Sequence, residues 1–129
     1  MIRIVSLIII NKEKKILLLK RSSHRKSYPN KWNFISGTIE NELPIECANR
    51  EIIEELGTEF KFKLINQGNS FIDKQEEYEW RVYPFVYQFI SGKIKIDDEH
   101  SEYKWIYPNE LSSYDIVPGT LEDLNHVNL

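Results

Sequence analysis

A chain of 129 residues with 41% hydrophobic and 12% aromatic content can bury one real core and is too short for two ordinary domains, so residues 1–129 are expected to form a single domain. Its net charge of −3 carries no basic surplus, which argues against general binding to nucleic acid or to a membrane surface. The one cysteine, Cys47, excludes an internal disulfide, suits a reducing, cytoplasmic setting and reads as a small buried thiol rather than a nucleophile.

The apolar opening from Ile2 to Ile10 is interrupted by Arg3 and Ser6 and is too short for a membrane span, and it lacks a signal-peptide layout; it predicts a buried strand. Ile16 to Lys20 repeats the pattern after the polar run Asn11-Lys12-Glu13-Lys14-Lys15, which predicts a hairpin. Arg21 to Lys31 is polar and reads as a loop. Trp32 to Ile39 should be extended around Gly37. A helix is then expected from Pro44, a residue suited to a first turn, to Gly57, a favoured stop, with Ala48, Ile52 and Leu56 as its buried stripe. Strand signals return at Phe60 to Ile65, Trp80 to Ile90 and Lys93 to Ile96, the last two joined through a tight turn at Ser91-Gly92, and again at Tyr103 to Tyr107. Pro108 to Leu111 and Pro118 to Val127 read as short helices opened by proline. Strands on both sides of one helix, with a terminal helix after them, predict an α/β fold whose mixed sheet is covered on two faces.

Residues 50–57 carry the strongest chemical signal. Arg50, Glu51, Ile52, Ile53, Glu54, Glu55, Leu56 and Gly57 place three carboxylates within five positions. At about 100° per residue these acids share roughly a 100° arc of the helix, where like charges cost a few tenths of a kcal/mol each and only Arg50 is close enough to offset them. Oxygen donors at this density suit Mg²⁺ or Mn²⁺, and such ions suit phosphate chemistry. Taken alone, the octapeptide fits a solvated acidic face equally well.

The upstream residues distinguish the two. The stretch reads Gly37-x4-Glu42-x7-Arg50-Glu51-Ile52-x-Glu54-Glu55-x-Gly57-Thr58, which resembles the Nudix box, Gly-x5-Glu-x7-Arg-Glu-apolar-x-Glu-Glu-x-Gly-apolar. The interval from Gly37 to Glu42 is one residue short, Thr58 stands at the final apolar position, and Ile35-Ser36-Gly37 replaces the common Pro-Gly-Gly turn. Trp32-x-Phe34 before the box and Glu99-x2-Glu102-x2-Trp105 after it extend the likeness over nearly the whole chain. The resemblance implies the Nudix α/β/α sandwich. A narrower likeness, carried by residues 32–40, Val82-Tyr83-Pro84-Phe85, residues 99–106 and Val117-Pro118, is to a subgroup fused in some eukaryotes to a domain related to translation initiation factors.

By this resemblance the chain hydrolyses a diphosphate linkage in a nucleoside diphosphate joined to a group X, or a related small molecule, with Mg²⁺ or Mn²⁺ as cofactor. Glu54 and Glu55 become the principal metal ligands, Glu51 shares in metal binding, and the Ser36 carbonyl is a candidate backbone ligand. Arg50 is expected to orient the acids through charge-assisted hydrogen bonds, and Glu42 to be a weaker ligand or a structural partner. The base or further ligand from outside the box is Glu99, with Glu102 next. Arg21 is a candidate phosphate contact or a surface charge pair, and Phe34, Trp80 and Tyr83 are candidates for stacking on a base or for core packing. His24 and His100 read as solvated side chains. The partner is then a nucleotide-like small molecule, and a homodimer is common among similar proteins. The competing reading is a catalytically weak Nudix-fold module that binds a nucleotide or a protein; a zinc deaminase fails because one cysteine cannot supply its ligands.

Overall fold

The computed structural model describes residues 1–75 and 77–129. Among them eight strands form one mixed sheet: β1 (Ile2–Ile10), β2 (Ile16–Arg21), β3 (Trp32–Asn33), β4 (Ile35–Thr38), β5 (Lys61–Gln67), β6 (Phe71–Lys74), β7 (Glu79–Ser91) and β8 (His100–Ile106). The helices are α1 (Pro44–Leu56) and α2 (Thr120–Asn125), with a 3₁₀ turn at Pro108–Ser113. The sheet runs β3-β2-β1-β7-β5, while β4 pairs with β1, β6 with β7 and β8 with β2.

β1 is central because it is apolar on both faces. Val5, Leu7 and Ile9 enter the core beneath α1 with Ala48, Ile52 and Leu56, whereas Ile8 and Ile10 enter a second core with Trp32, Phe34 and Leu111. Burial on both faces fits its parallel pairing with β7, in register from Ile2↔Trp80 to Ile10↔Gln88. The expected α/β sandwich is therefore present, with α1 over one face and α2 and the 3₁₀ turn on the side of the other core. Ala48, Ile52 and Leu56 are fully buried, and each large aliphatic chain so placed contributes about 1.5–3 kcal/mol.

α1 begins as its sequence dictates. Pro44 occupies its first turn, and the backbone N–H of Leu43 donates to Glu46 Oε1 at 2.9 Å. At the other end Gly57 donates its N–H to the Ile53 carbonyl at 2.9 Å.

Several expectations need correction. The hairpin of β1 and β2 is present, antiparallel across the turn closed by the Asn11 N–H to the Lys15 carbonyl at 2.9 Å, but its paired register is limited to Ile10↔Ile16, and the length of β1 pairs with β4 and β7 instead. Lys93 to Ile96 is not a strand: the Lys95 N–H donates to the Leu56 carbonyl at 2.9 Å, and Ile94 and Ile96 pack into the core beneath α1, so the segment closes the helix end. Phe71–Lys74 is a strand that the sequence reading omits; four residues pairing with β7 carry too little periodicity to stand out. Finally, α2 starts after Gly119, at Thr120, because Gly119 adopts φ 97° and so lies outside the helix.

Candidate active site

β4 joins the two halves of the site. Its side chains alternate across the sheet, so Ser36 lines a cavity on the α2 side while Gly37 lies against α1 and the Glu51 carboxyl. A Cβ at position 37 would overlap that carboxyl, so glycine lets the helix acid approach the strand.

The three acids of α1 do not share one environment. Glu55 is buried, and Glu51 keeps only 14% of its side chain exposed, but Glu54 is 53% exposed. Arg50 binds the outer acids as expected: its guanidinium donates to Glu42 Oε1 at 2.5 Å, Glu51 Oε1 at 3.0 Å and Glu54 Oε1 at 3.2 Å. Glu42 thus reaches the site through Arg50 despite the shortened loop, and that contact holds its carboxyl below the usual range. Burial raises the Glu51 carboxyl, and burial followed by repulsion from Glu51 raises Glu55 well above the ordinary carboxylate range. The two carboxyls act on each other, and burial disfavours the charged form of both.

Among the described residues no three His, Cys, Asp or Glu side chains already converge as a cation cage. A Mg²⁺-type ion takes one or two protein carboxylates and completes its shell with water and phosphate. An all-oxygen pair at Glu51 and Glu55, with Glu54 nearby, fits that demand.

The turn before β8 approaches the same acids. Glu99 is half exposed, binds Arg25 Nη1 at 3.1 Å, and contributes with Asp97 to the negative field that raises Glu55. Its backbone is pinned to the end of β2, since the Ser22 N–H donates to the Glu99 carbonyl and the Ser22 hydroxyl to the Asp98 carbonyl, each at 2.9 Å. Glu102 instead pairs with Lys20 at 3.9 Å on the strand. His24 is exposed as expected, but His100 is not: its ring is buried between Asp97 and Glu55. The Asp97-x2-His100 spacing at a turn was the available signal, because residues three apart meet there.

On the α2 side lies a cavity of about 300 Å³, lined among others by Arg21, Asn33, Phe34, Asp73, Trp80 and Asp123. Arg21 is not a surface pair. It is buried, and its guanidinium donates to the Ser27 carbonyl and hydroxyl at 2.9 Å each; burial and Arg25 lower its pKa. Trp80 stacks at a tilt on Tyr78, 4.2 Å between centroids, at the cavity wall, and Phe34 belongs to both the wall and the core. Tyr83 does not join them. Three positions along β7 from Trp80, it faces the α1 side and packs into that core.

The cavity holds acids that the sequence reading missed. Asp123 on α2 accepts from Ser6 Oγ at 2.7 Å, and burial pushes its carboxyl up to about 7. Asp73 is buried beside Gly119, where a Cβ would crowd its Oδ2. The Asn33 side-chain oxygen is buried without a partner. The interruption of β1 by Ser6 was a signal for a polar contact, but its partner lies 117 residues away.

A raised acid favours folding in its neutral form, so the Asp123 contribution is complete below the ordinary carboxylate range and is lost as pH rises through about 7. Wild type should therefore be more stable to denaturant at pH 5 than at pH 8. Asp123→Asn should remove part of that difference, up to about 1.4 kcal/mol for each pH unit between 5 and the folded value of about 7, less whatever solvent reaches the carboxyl. An unchanged pH dependence in the variant would rule this out.

The chain is similar to known proteins in sequence and in fold. Residues 2–124 match the NUDIX domain family. A nucleoside triphosphatase NudI of Salmonella newport (strain SL254) is 30% identical over 119 residues, 84% of each chain. The E. coli ORF135 protein shares the fold, with a TM-score of 0.76 and 24% identity over 97% of this chain and 86% of that one. So does a C. elegans Ap4A hydrolase, with a TM-score of 0.76 and 16% identity over 98% and 94% of the respective chains. The narrower likeness to the initiation-factor-fused subgroup finds no support in these relatives.

Proposed function

This chain belongs to the Nudix family, and from that premise we propose that it is a Mg²⁺- or Mn²⁺-dependent pyrophosphohydrolase of nucleoside diphosphates joined to a group X. The observation that carries the reading is the position of Arg21, which lines a cavity with aromatic and polar walls and also lies in the electrostatic field of Glu55 and Glu99. At about 300 Å³ that cavity is within the range of small-molecule sites. The 30% identical relative is named a nucleoside triphosphatase, so the first substrates to try are nucleoside triphosphates, in which X is phosphate.

In this reading Glu51, Glu54 and Glu55 hold the cation, which when bound supplies charge neutralisation on the phosphate oxygens. Arg50 keeps Glu51 and Glu54 aimed and, being bound to three carboxylates, is not a substrate contact. Glu99 takes the proton of the attacking water. Water adds to an internal anhydride phosphorus, the bridging P–O bond breaks, and the leaving group, pyrophosphate or the nucleoside monophosphate according to which phosphorus is attacked, carries away that electron pair. Trp80 and Phe34 flank the base, while Asn33, Asp73 and Asp123 present polar groups to its edge. A reducing, cytoplasmic setting belongs to the same reading, supported by the buried thiol of Cys47, whose pKa burial pushes up to about 12.

The test is a nucleotide panel with Mg²⁺ or Mn²⁺, products identified in ¹⁸O-labelled water. Triphosphates should yield a nucleoside monophosphate and pyrophosphate, with label on a phosphorus-containing product, and sugar phosphates should remain nearly untouched. Preference for monoesters, or label on the carbon side of X, would overturn the assignment. Tight nucleotide binding without turnover would favour a binding module, the reading suggested by the short loop and by the Arg50 tether on Glu51 and Glu54.

A further inference from the structure

His100 is a buried imidazole with no part in the chemistry above. Only 3% of its side chain is exposed, and carboxyl groups stand at both ring nitrogens: Asp97 Oδ1 is 2.6 Å from Nδ1, and Glu55 Oε1 is 3.5 Å from Nε2. The shorter contact fixes the ring. An Asp carboxylate only accepts, so Nδ1 carries the hydrogen and the Asp97 bond sets the plane in which Nε2 is presented.

On its other side the ring packs against Glu55. Arg50 donates to Glu42, Glu51 and Glu54, whereas the cation-capable contact of Glu55 is His100. The Glu55 carboxyl is therefore enclosed by Glu51 on one side and the imidazole on the other. It is buried, with 8% of its side chain exposed, so burial and these two neighbours limit where it can turn. A side chain that limits this rotation lowers the entropy lost when the carboxyl is captured by an ion.

We propose that Asp97 and His100 form a positioning pair that holds the Glu55 carboxyl in its cation-binding orientation, so that the turn before β8 sets the cation affinity of an acid on α1. The inference rests on the proposed metal role of Glu55. Neither residue is a ligand. Asp97 acts through His100, and His100 acts through Glu55.

The test is direct Mn²⁺ binding to the folded, nucleotide-free protein, read from the electron paramagnetic resonance signal of free Mn²⁺. His100→Ala should weaken Mn²⁺ binding roughly 10- to 100-fold, the range for losing a group that orients a ligand. His100→Gln, whose amide reaches the Nε2 position, should recover most of the loss. Asp97→Ala should weaken binding less, and because Asp97 keeps 23% of its side chain exposed against 3% for His100, it gives the reading if His100→Ala does not fold. Turnover should fall through kcat, with a smaller change in KM for nucleotide.

A double-mutant cycle separates positioning from general support. In a Glu55→Gln background, His100→Ala should cause no further loss of Mn²⁺ affinity. If folded His100→Ala and Asp97→Ala both bind Mn²⁺ within about twofold of wild type, the positioning pair is refuted while the metal role of Glu55 stands. If wild type itself binds no Mn²⁺, both fall together.

Discussion

Replacing Glu55 by glutamine should nearly abolish turnover and leave the protein folded, at least as stable at pH 8 as wild type. The loss follows from removing the most buried carboxyl on α1. If its share of transition-state charge stabilisation is about 4 kcal/mol, within the several kcal/mol expected of a bound cation, the rate falls by about 10³-fold. Glu54→Gln should fall comparably in activity, but with less effect on stability because its carboxyl is 53% exposed. The stability sign follows from burial. Glu55 is raised well above the ordinary range by burial and by Glu51, so its contribution is complete below that range and lost as pH rises toward its folded value. Glutamine cannot ionise, so the gain should appear at pH 8 and vanish near pH 4. Denaturant titrations at both pH values, beside turnover with Mg²⁺ or Mn²⁺, read the two effects separately. Wild-type turnover in excess chelator would reject the cation mechanism. Unfolding of both variants would instead mark the acids as structural.

The contrast between Glu54 and Glu55 shows where the sequence was informative. The acids, their spacing and the buried stripe beneath them were legible because helical periodicity is local: residues 50–57 determine which side chains share a face. It could not rank their burial, since that depends on Gly37 admitting Glu51 and on the residues before β8 closing over Glu55. His100 failed for the same reason. In sequence it is a lone histidine beside charges, and only the pairing of β8 with β2, with Arg21 opposite His100, encloses it near α1.

The cavity was hardest to foresee. Its acids come from β6 and α2, and Ser6 meets Asp123 only because the C-terminal segment returns to Trp32: the Val117 N–H donates to the Trp32 carbonyl, and the Trp32 N–H to the Asp115 carbonyl, each at 2.9 Å. The aromatic candidates divided by a simpler rule. Trp80 and Tyr83 are an odd number of residues apart on one strand, so period-two alternation alone places them on opposite faces. Lys93 to Ile96 has strand-like alternation as well, but the unpaired end of α1 competes for its backbone and wins.

Glu99→Gln should lower turnover by about 10²- to 10⁴-fold, the range for losing a positioned proton acceptor, with a smaller change in KM. Glu99 is favoured over Glu102 by where their charges act. Glu99 belongs to the field that raises Glu55 and also acts on Arg21, whereas Glu102 is paired with Lys20 along the strand. Its exposure suits the task, because a base must meet bulk water to dispose of the proton it takes. Precision comes from the backbone, held at 2.9 Å by Ser22 through both the Asp98 and Glu99 carbonyls, while the Arg25 contact at 3.1 Å restrains the carboxylate. Glu102→Gln should therefore be the milder change, since it removes a surface pair of the kind worth about 0–1 kcal/mol. The decisive measurement is kcat for both variants on one triphosphate. Full activity in Glu99→Gln would remove its role, and a large loss confined to Glu102→Gln would move the base three residues along the chain, from the turn onto β8.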